Sequence, residues 1–252
     1  MHEAATHSVV SDALVTFALA PISQDAAKVL QAAQRAVADA RALAVKSRDD
    51  ARRIGDLLKP LQSSPADARV QAWTLGALLA GEGDGDADGV RSFAAPVLAA
   101  AITMGDRLAA SDDDIAAAVA VGLEAAGRVL AALDSSEYRA RWNVASSLGV
   151  LGATLAVSRV LKLDETRTRH ALGVAATQAA GLAHNAGSAM EAIETGKTAA
   201  DAIESALIAK HGFTSAPASI DGRRGLAALM AYRFDADAIT GELGQRWTSV
   251  AA

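Results

Sequence analysis

The fold is decided by one long stretch in the middle of the chain, which reads SDDDIAAAVAVGLEAAGRVLAAL (residues 111–133). Alanine, which dominates this stretch, has the highest helix propensity of all residues. Ser111 supplies the side-chain acceptor of a helix N-cap, and the three aspartates that follow complement the helix dipole. The stretch therefore predicts a long, well-capped α-helix ending at Leu133.

The composition extends this prediction to the whole chain. About a quarter of the 252 residues are alanine, 51% are apolar, and aromatic residues make up only 4%. Such a chain can bury a sizeable core, and small side chains let helix axes approach closely. β-Strand patterns with alternating apolar residues are scarce, and no internal repeat or linker divides the chain. We expect an all-α protein, a multi-helix bundle forming a single domain over residues 1–252.

Proline, glycine and capping residues place the remaining helices. The predicted spans are 8–20, 23–45, 66–80, 96–108, 140–161, 164–183 and 198–211. The acidic, glycine-rich residues 81–89 fail the ligand spacing of an EF-hand, so a solvated loop is expected there. Residues 187–197 are predicted to form a second loop. At its end, Lys197 beside a helix N-terminus is a candidate cradle for a carboxylate or phosphate.

Charge and residue usage exclude several classes of function. The net charge is −5, and no Lys/Arg stripe alternates with aromatic residues, so no nucleic-acid partner is expected. The absence of cysteine rules out thiol catalysis, and no two histidines have the helical spacing of metal ligands, so neither metal nor cofactor is predicted. No signal peptide or apolar run of about 20 residues is visible. We expect a soluble, cytoplasmic protein without membrane contact.

The second half of the chain carries a series of short motifs. They read VGLEAAGR (121–128), RWNVASSLG (141–149), GVAATQAAGL (173–182), TGKTAA (195–200), HGFTSAP (211–217), DGRRGL (221–226) and LGQRW (243–247). This series resembles the MmgE/PrpD family, which includes 2-methylcitrate dehydratases, cis-aconitate decarboxylases and iminodisuccinate epimerases. The resemblance is weak over residues 1–90 and better over 91–247. It implies the helical domain of that family, with the lid domain absent.

The resemblance also implies that most of the family's catalytic groups are replaced. The family's acidic segment falls on residues 82–88, where Asp84 and Asp86 remain, and one of its histidines corresponds to Asn143. The lysine and histidine of its Lys-x-x-His-x-Gly loop correspond to Glu191 and Glu194. Family reactions pass through an enolate-like anion that cationic groups stabilise. Replacing lysine by glutamate therefore reverses the charge where an anionic substrate would bind.

Three functions stay open from the sequence, and two of them lead. The first is a non-catalytic or partner-dependent subunit of a lyase/isomerase-type assembly, working as a homodimer or as a heterodimer with a full-length family relative. The alternative is a repurposed stand-alone lyase or isomerase that acts on a small molecule, with paired glutamates as acid and base; a small-molecule binding module is a third reading. The candidate site residues are Asp84, Asp86, Asn143, His184, Glu191, Glu194 and Lys197.

Overall fold

The computed structural model describes residues 8–64, 66–81 and 93–249, which form twelve α-helices and no β-strand. In chain order these are α1 Val9–Leu19, α2 Ala27–Lys46, α3 Arg48–Leu58, α4 Ala68–Gly81, α5 Ala94–Arg107, α6 Asp112–Leu133, α7 Ser136–Arg141, α8 Val144–Val160, α9 Glu165–Gln178, α10 Ala189–Lys210, α11 Leu226–Met230 and α12 Ala236–Thr240. The all-α prediction is confirmed.

Most residues of helix α6, named here the central helix, are buried in the bundle. The Ser111 hydroxyl accepts a hydrogen bond from the Asp114 backbone N–H at 3.1 Å, so the predicted cap is present. Helices α2, α5, α8 and α12 pack around α6. By length and composition α6 would suffice to cross a membrane, yet 83% of its most apolar window is buried inside the bundle. Its hydrophobicity is therefore accounted for by packing against the neighbouring helices.

Helices α4 and α10 pack backbone against backbone in antiparallel directions. A Cβ atom on Gly196 would lie 2.4 Å from the carbonyl oxygen of Trp73 and 2.6 Å from the backbone nitrogen of Ala77. The Trp73 indole donates to the Ile193 carbonyl at 2.8 Å, close to the start of α10. The C-terminal end of α4 therefore lies beside the N-terminal end of α10.

The start of α10 corrects the predicted loop over residues 187–197. The helix begins at Ala189, nine residues before the expected start at Thr198, and the Ser188 hydroxyl caps it by accepting from the Met190 N–H at 3.2 Å. Gly196, which suggested a loop, lies inside the helix. Glycine occupies this position because the contact with α4 leaves no room for a side chain. Lys197 consequently sits in the third helical turn, and the anion cradle predicted there is wrong.

Two other helix boundaries also differ from the prediction. The helix expected over 140–161 is split, because α7 ends at Arg141 and α8 begins only at Val144. Helix α9 ends at Gln178 rather than continuing to residue 183. Beyond that end, Gly181 adopts a φ of +113°, and a Cβ atom on it would come within 2.6 Å of the Ser146 Cβ. The chain turns there because only glycine fits this close approach.

A buried ion pair on α6 holds the segment that follows α12. Arg128 donates to Glu124 at 2.7 Å and to the Gly241 carbonyl at 2.6 Å, and it also contacts the Arg246 carbonyl. Glu124, whose side chain is fully buried, accepts from the backbone N–H of Thr248 at 2.9 Å and of Ser249 at 2.8 Å. The pair therefore connects the central helix to residues 238–249 through backbone hydrogen bonds.

Because of the Asp67 carboxylate, the free energy of unfolding should decrease as the pH falls through the acidic range. Asp67 accepts from the Ser63 hydroxyl at 2.9 Å and from the Arg69 guanidinium at 3.0 Å, and Arg69 holds the pKa of Asp67 well below its usual range. A carboxyl with a lowered folded-state pKa contributes stability above its unfolded pKa of about 4, and this contribution is lost as the pH falls further. We expect Asp67→Asn to lower the free energy of unfolding by roughly 2 kcal/mol at pH 7.

The test is urea unfolding of the wild type and the variant at pH 7, 5 and 3. The difference in the free energy of unfolding between wild type and variant should stay constant from pH 7 to 5 and shrink below pH 4. Asp56→Asn, which changes an exposed aspartate on α3, is the matched control and should cost little at any pH. A difference that grows as the pH falls would contradict the assignment.

Candidate functional site

The candidate site lies at one end of the bundle, where α8 and α10 begin. Residues 179–188, named here the site loop, connect α9 to α10 across this end. The backbone N–H of Asn143, just before α8, donates to the Gly181 carbonyl at 3.2 Å, and Trp142 forms an isolated antiparallel bridge with Leu182. Helix N-termini carry partial positive charge, so this end of the bundle has backbone donors available for carboxylates.

Glu191 and Glu194 are used to hold the site loop. The carboxylate of Glu194 accepts from the Leu182 backbone N–H at 3.0 Å and from the Asn185 side-chain amide at 3.0 Å. Glu191 accepts from the Gly187 backbone N–H at 2.7 Å. Both glutamates are partly buried in the first turns of α10. Their carboxylates thus accept hydrogen bonds from the residues that precede the helix.

Asn143 is a helix cap. Its side-chain oxygen accepts from the Ser146 N–H at 3.0 Å, and its backbone carbonyl accepts from the Ser147 hydroxyl at 2.6 Å. The residue is only 9% exposed, beneath the site loop. The Ser146 hydroxyl beside it is buried and has no hydrogen-bond partner among the described residues. Asn143 therefore positions α8 and the loop above it.

His184 and Lys197 lie in different surroundings. His184 is exposed in a short 3₁₀ turn of the site loop, and its imidazole has no hydrogen bond to any described residue. Lys197, one turn beyond Glu194, places its ammonium 2.6 and 2.7 Å from the two oxygens of Asp201. Burial raises the pKa of Asp201, while the ammonium of Lys197 opposes that rise. The charge of Lys197 is therefore largely offset by its neighbour.

The structure brings together four of the seven predicted site residues. Asn143, His184, Glu191 and Glu194 meet at the site loop, whereas Lys197 points to Asp201 further along α10. Asp84 and Asp86 lie outside the described residues. Over the parts of the chain that are described, no group of three or more histidine or acidic side chains could hold a metal ion.

Two residues that matter here were missed in the sequence. Ser188 caps α10 three residues before Glu191, and the pattern Ser-x-x-Glu is a known signature of a helix start. Asp201 follows Lys197 by four residues, the spacing at which opposite charges pair on one helix face. Both signals were present and local. They were missed because residues 187–197 were predicted to form a loop.

Residues 230–232 form one side of the rim of the site. The guanidinium of Arg141 and the indole of Trp142 both donate to the Met230 carbonyl, at 2.7 and 3.1 Å. The Tyr232 ring lies 4.8 Å from the Arg141 guanidinium carbon, and its side chain is 77% exposed. Leu182, bridged to Trp142, is 58% exposed. Apolar surface thus surrounds the site loop on this side.

The family model of the MmgE/PrpD N-terminal domain matches residues 87–238. The cis-aconitate decarboxylase of Homo sapiens is 31% identical over 119 residues, which are 47% of this chain and 25% of that protein. The aligned stretch therefore spans only a quarter of that relative. Because the family model covers more than half of the chain and the bundle is all-helical, the chain belongs to the MmgE/PrpD family.

Proposed function

We propose that this chain is a non-catalytic or partner-dependent subunit of an MmgE/PrpD-type lyase or isomerase assembly. The observation that carries the proposal is the position of Glu191 and Glu194, whose carboxylates accept hydrogen bonds from the site loop. The resemblance places a lysine and a histidine of the family's site at these positions. Here the same positions carry negative charge and hold the loop.

The electrostatics of such a site disfavour the family's reaction. An enolate-like intermediate needs cations or hydrogen-bond donors close to the developing charge. Two like charges about 4 Å apart near a protein surface repel by roughly 4 kcal/mol. Lys197 is the nearest cation on α10, but its ammonium is paired with Asp201. A polycarboxylate would therefore bind poorly beside Glu191 and Glu194.

The partner we propose is a second family chain, either another copy of this one or a full-length relative. Membership of the family supports this choice. The exposed side chains of Leu182, Met190 and Tyr232 lie around the site loop and offer apolar surface for a covering domain. A full-length relative would supply the cationic groups that Glu191 and Glu194 do not provide.

The alternative is a stand-alone lyase or isomerase with rebuilt residues. His184 favours this reading, because its exposed imidazole is free of hydrogen bonds to described residues, and histidine is the side chain that most often serves as a general acid or base. It lies on the loop that Glu194 fastens through Asn185. A neutral or cationic small molecule would suit the two glutamates better than a citrate-like anion.

An activity measurement separates the two functions. The chain is purified alone and together with a full-length family relative encoded by the same genome, and small carboxylic acids are assayed for dehydration, decarboxylation and epimerisation. We expect no turnover by the chain alone and turnover or a clear increase in the mixture, with co-elution on size exclusion. Turnover by the isolated chain that is lost in His184→Ala and kept in His211→Ala would establish the alternative.

A further inference from the structure

A cleft of about 500 Å³ opens between α2, α3, α4 and α5, away from the site loop. It is lined by α4 from Val70 to Leu78 and by the end of α5, whereas the site lies where α8 and α10 begin. Half of the residues that line it are alanine or aliphatic, and the other half are polar or charged, namely Gln62, Gln71, Thr74, Thr103, Asp106 and Arg107. This volume and this mixture of residues are typical of small-molecule sites.

The cleft exists because α3 carries small residues on the side that faces the bundle. Ala51 of α3 and Ala44 of α2 both line it and reach only a short way into the space. Gly55 follows Ala51 by one turn, and a Cβ atom built on it would meet nothing within 4 Å.

Two arginines and two aspartates lie at the cleft or beside it, and one of the arginines forms no ion pair with a described residue. Asp106 forms an ion pair with Arg41, which also binds Asp112 at 2.8 Å. Arg107 donates to the Ala66 carbonyl at 2.6 Å but forms no ion pair with any residue that the structure describes. A ligand that enters the cleft therefore meets an apolar wall and a guanidinium group with free donors.

We propose that this cleft binds an unbranched aliphatic carboxylate of medium chain length. The carboxylate would pair with the Arg107 guanidinium, a charge-assisted interaction that is roughly twice as strong as a neutral hydrogen bond. The alkyl chain would lie along Val70, Leu75 and Ile102, where each methylene leaves water for an apolar surface. Arg41, which is shared between Asp106 and Asp112, reduces the repulsion between Asp106 and the carboxylate of the ligand.

The experiment is isothermal titration of the full chain with octanoate, octanol and octylamine. We expect saturable binding, with an affinity that decreases from octanoate to octanol to octylamine. Arg107→Gln should weaken octanoate about tenfold and leave octanol nearly unchanged, because only the acid uses the guanidinium. Arg223→Gln, which removes an exposed arginine outside the cleft, is the matched control and should leave both affinities unchanged.

A second variant tests the apolar part of the cleft. Ala51→Leu extends a side chain into the space and should weaken octanoate and octanol alike, while leucine keeps α3 helical. Melting curves of each variant show whether it is folded. Octanoate that fails to bind, that binds no better than octylamine, or that binds Arg107→Gln and Ala51→Leu as well as the wild type would overturn the proposal.

Discussion

Replacing Arg128 by alanine is expected to lower the free energy of unfolding by about 3–5 kcal/mol, because the change leaves the Glu124 carboxylate buried without its cation. The side chain of Glu124 is fully buried, and that of Arg128 is 8% exposed. The variant also loses the hydrogen bond to the Gly241 carbonyl and the contact with the Arg246 carbonyl. The measurement is urea unfolding at pH 7, followed by circular dichroism at 222 nm.

The control for this prediction is Arg246→Ala. The Arg246 side chain is 74% exposed, and its guanidinium lies 3.8 Å from Glu242, so its removal should cost less than about 0.5 kcal/mol. The backbone carbonyl that Arg128 contacts is preserved in this control. If Arg128→Ala were as stable as Arg246→Ala, the buried pair would not be what secures residues 238–249.

Gly196→Ala is expected to cost about 3 kcal/mol, although alanine is the better helix former. The added Cβ would lie 2.4 Å from the Trp73 carbonyl oxygen and 2.6 Å from the Ala77 nitrogen. Backbone atoms cannot rotate away as a flexible side chain can, so α4 and α10 must separate. Thermal unfolding monitored by circular dichroism would detect this loss.

Gly55→Ala is the matched comparison, because it makes the same substitution in a helix where the new methyl group meets nothing within 4 Å. It should stabilise the protein by about 0.5–1 kcal/mol, since alanine restricts the unfolded chain and favours the helix. Opposite signs for the two variants are the expected result. Two stabilised variants would show that α4 and α10 have room to move apart.

Local signals predicted much of the fold. Ser8 and Ser111 accept hydrogen bonds from the first turns of α1 and α6, as N-cap residues do. The start of α10 was missed although Ser188 and Glu191 form a local helix-start signal, because Gly196 was taken as the end of a loop. The reason for a glycine inside this helix is its contact with Trp73 and Ala77. That contact joins residues more than one hundred positions apart. Local sequence contains no information about such a distant neighbour.

The candidate site was predicted only in part, and for a similar reason. The family resemblance singled out Glu191 and Glu194, and both lie at the site end of the bundle. Their hydrogen-bond partners, the backbone of Gly187 and Leu182, depend on how the site loop folds back onto α10. Residue type predicted the charge of the site. The geometry of the loop determines how that charge is used.

The backbone contact between α4 and α10 has a mechanical consequence. Gly76 and Gly196 bring the two helix axes so close that neither helix can slide or roll without carrying the other. Any ligand or partner that tilts α10 would therefore displace the end of α4 at Gly81 by the same movement. The site loop, which leads into α10, and the C-terminal end of α4 would therefore move together.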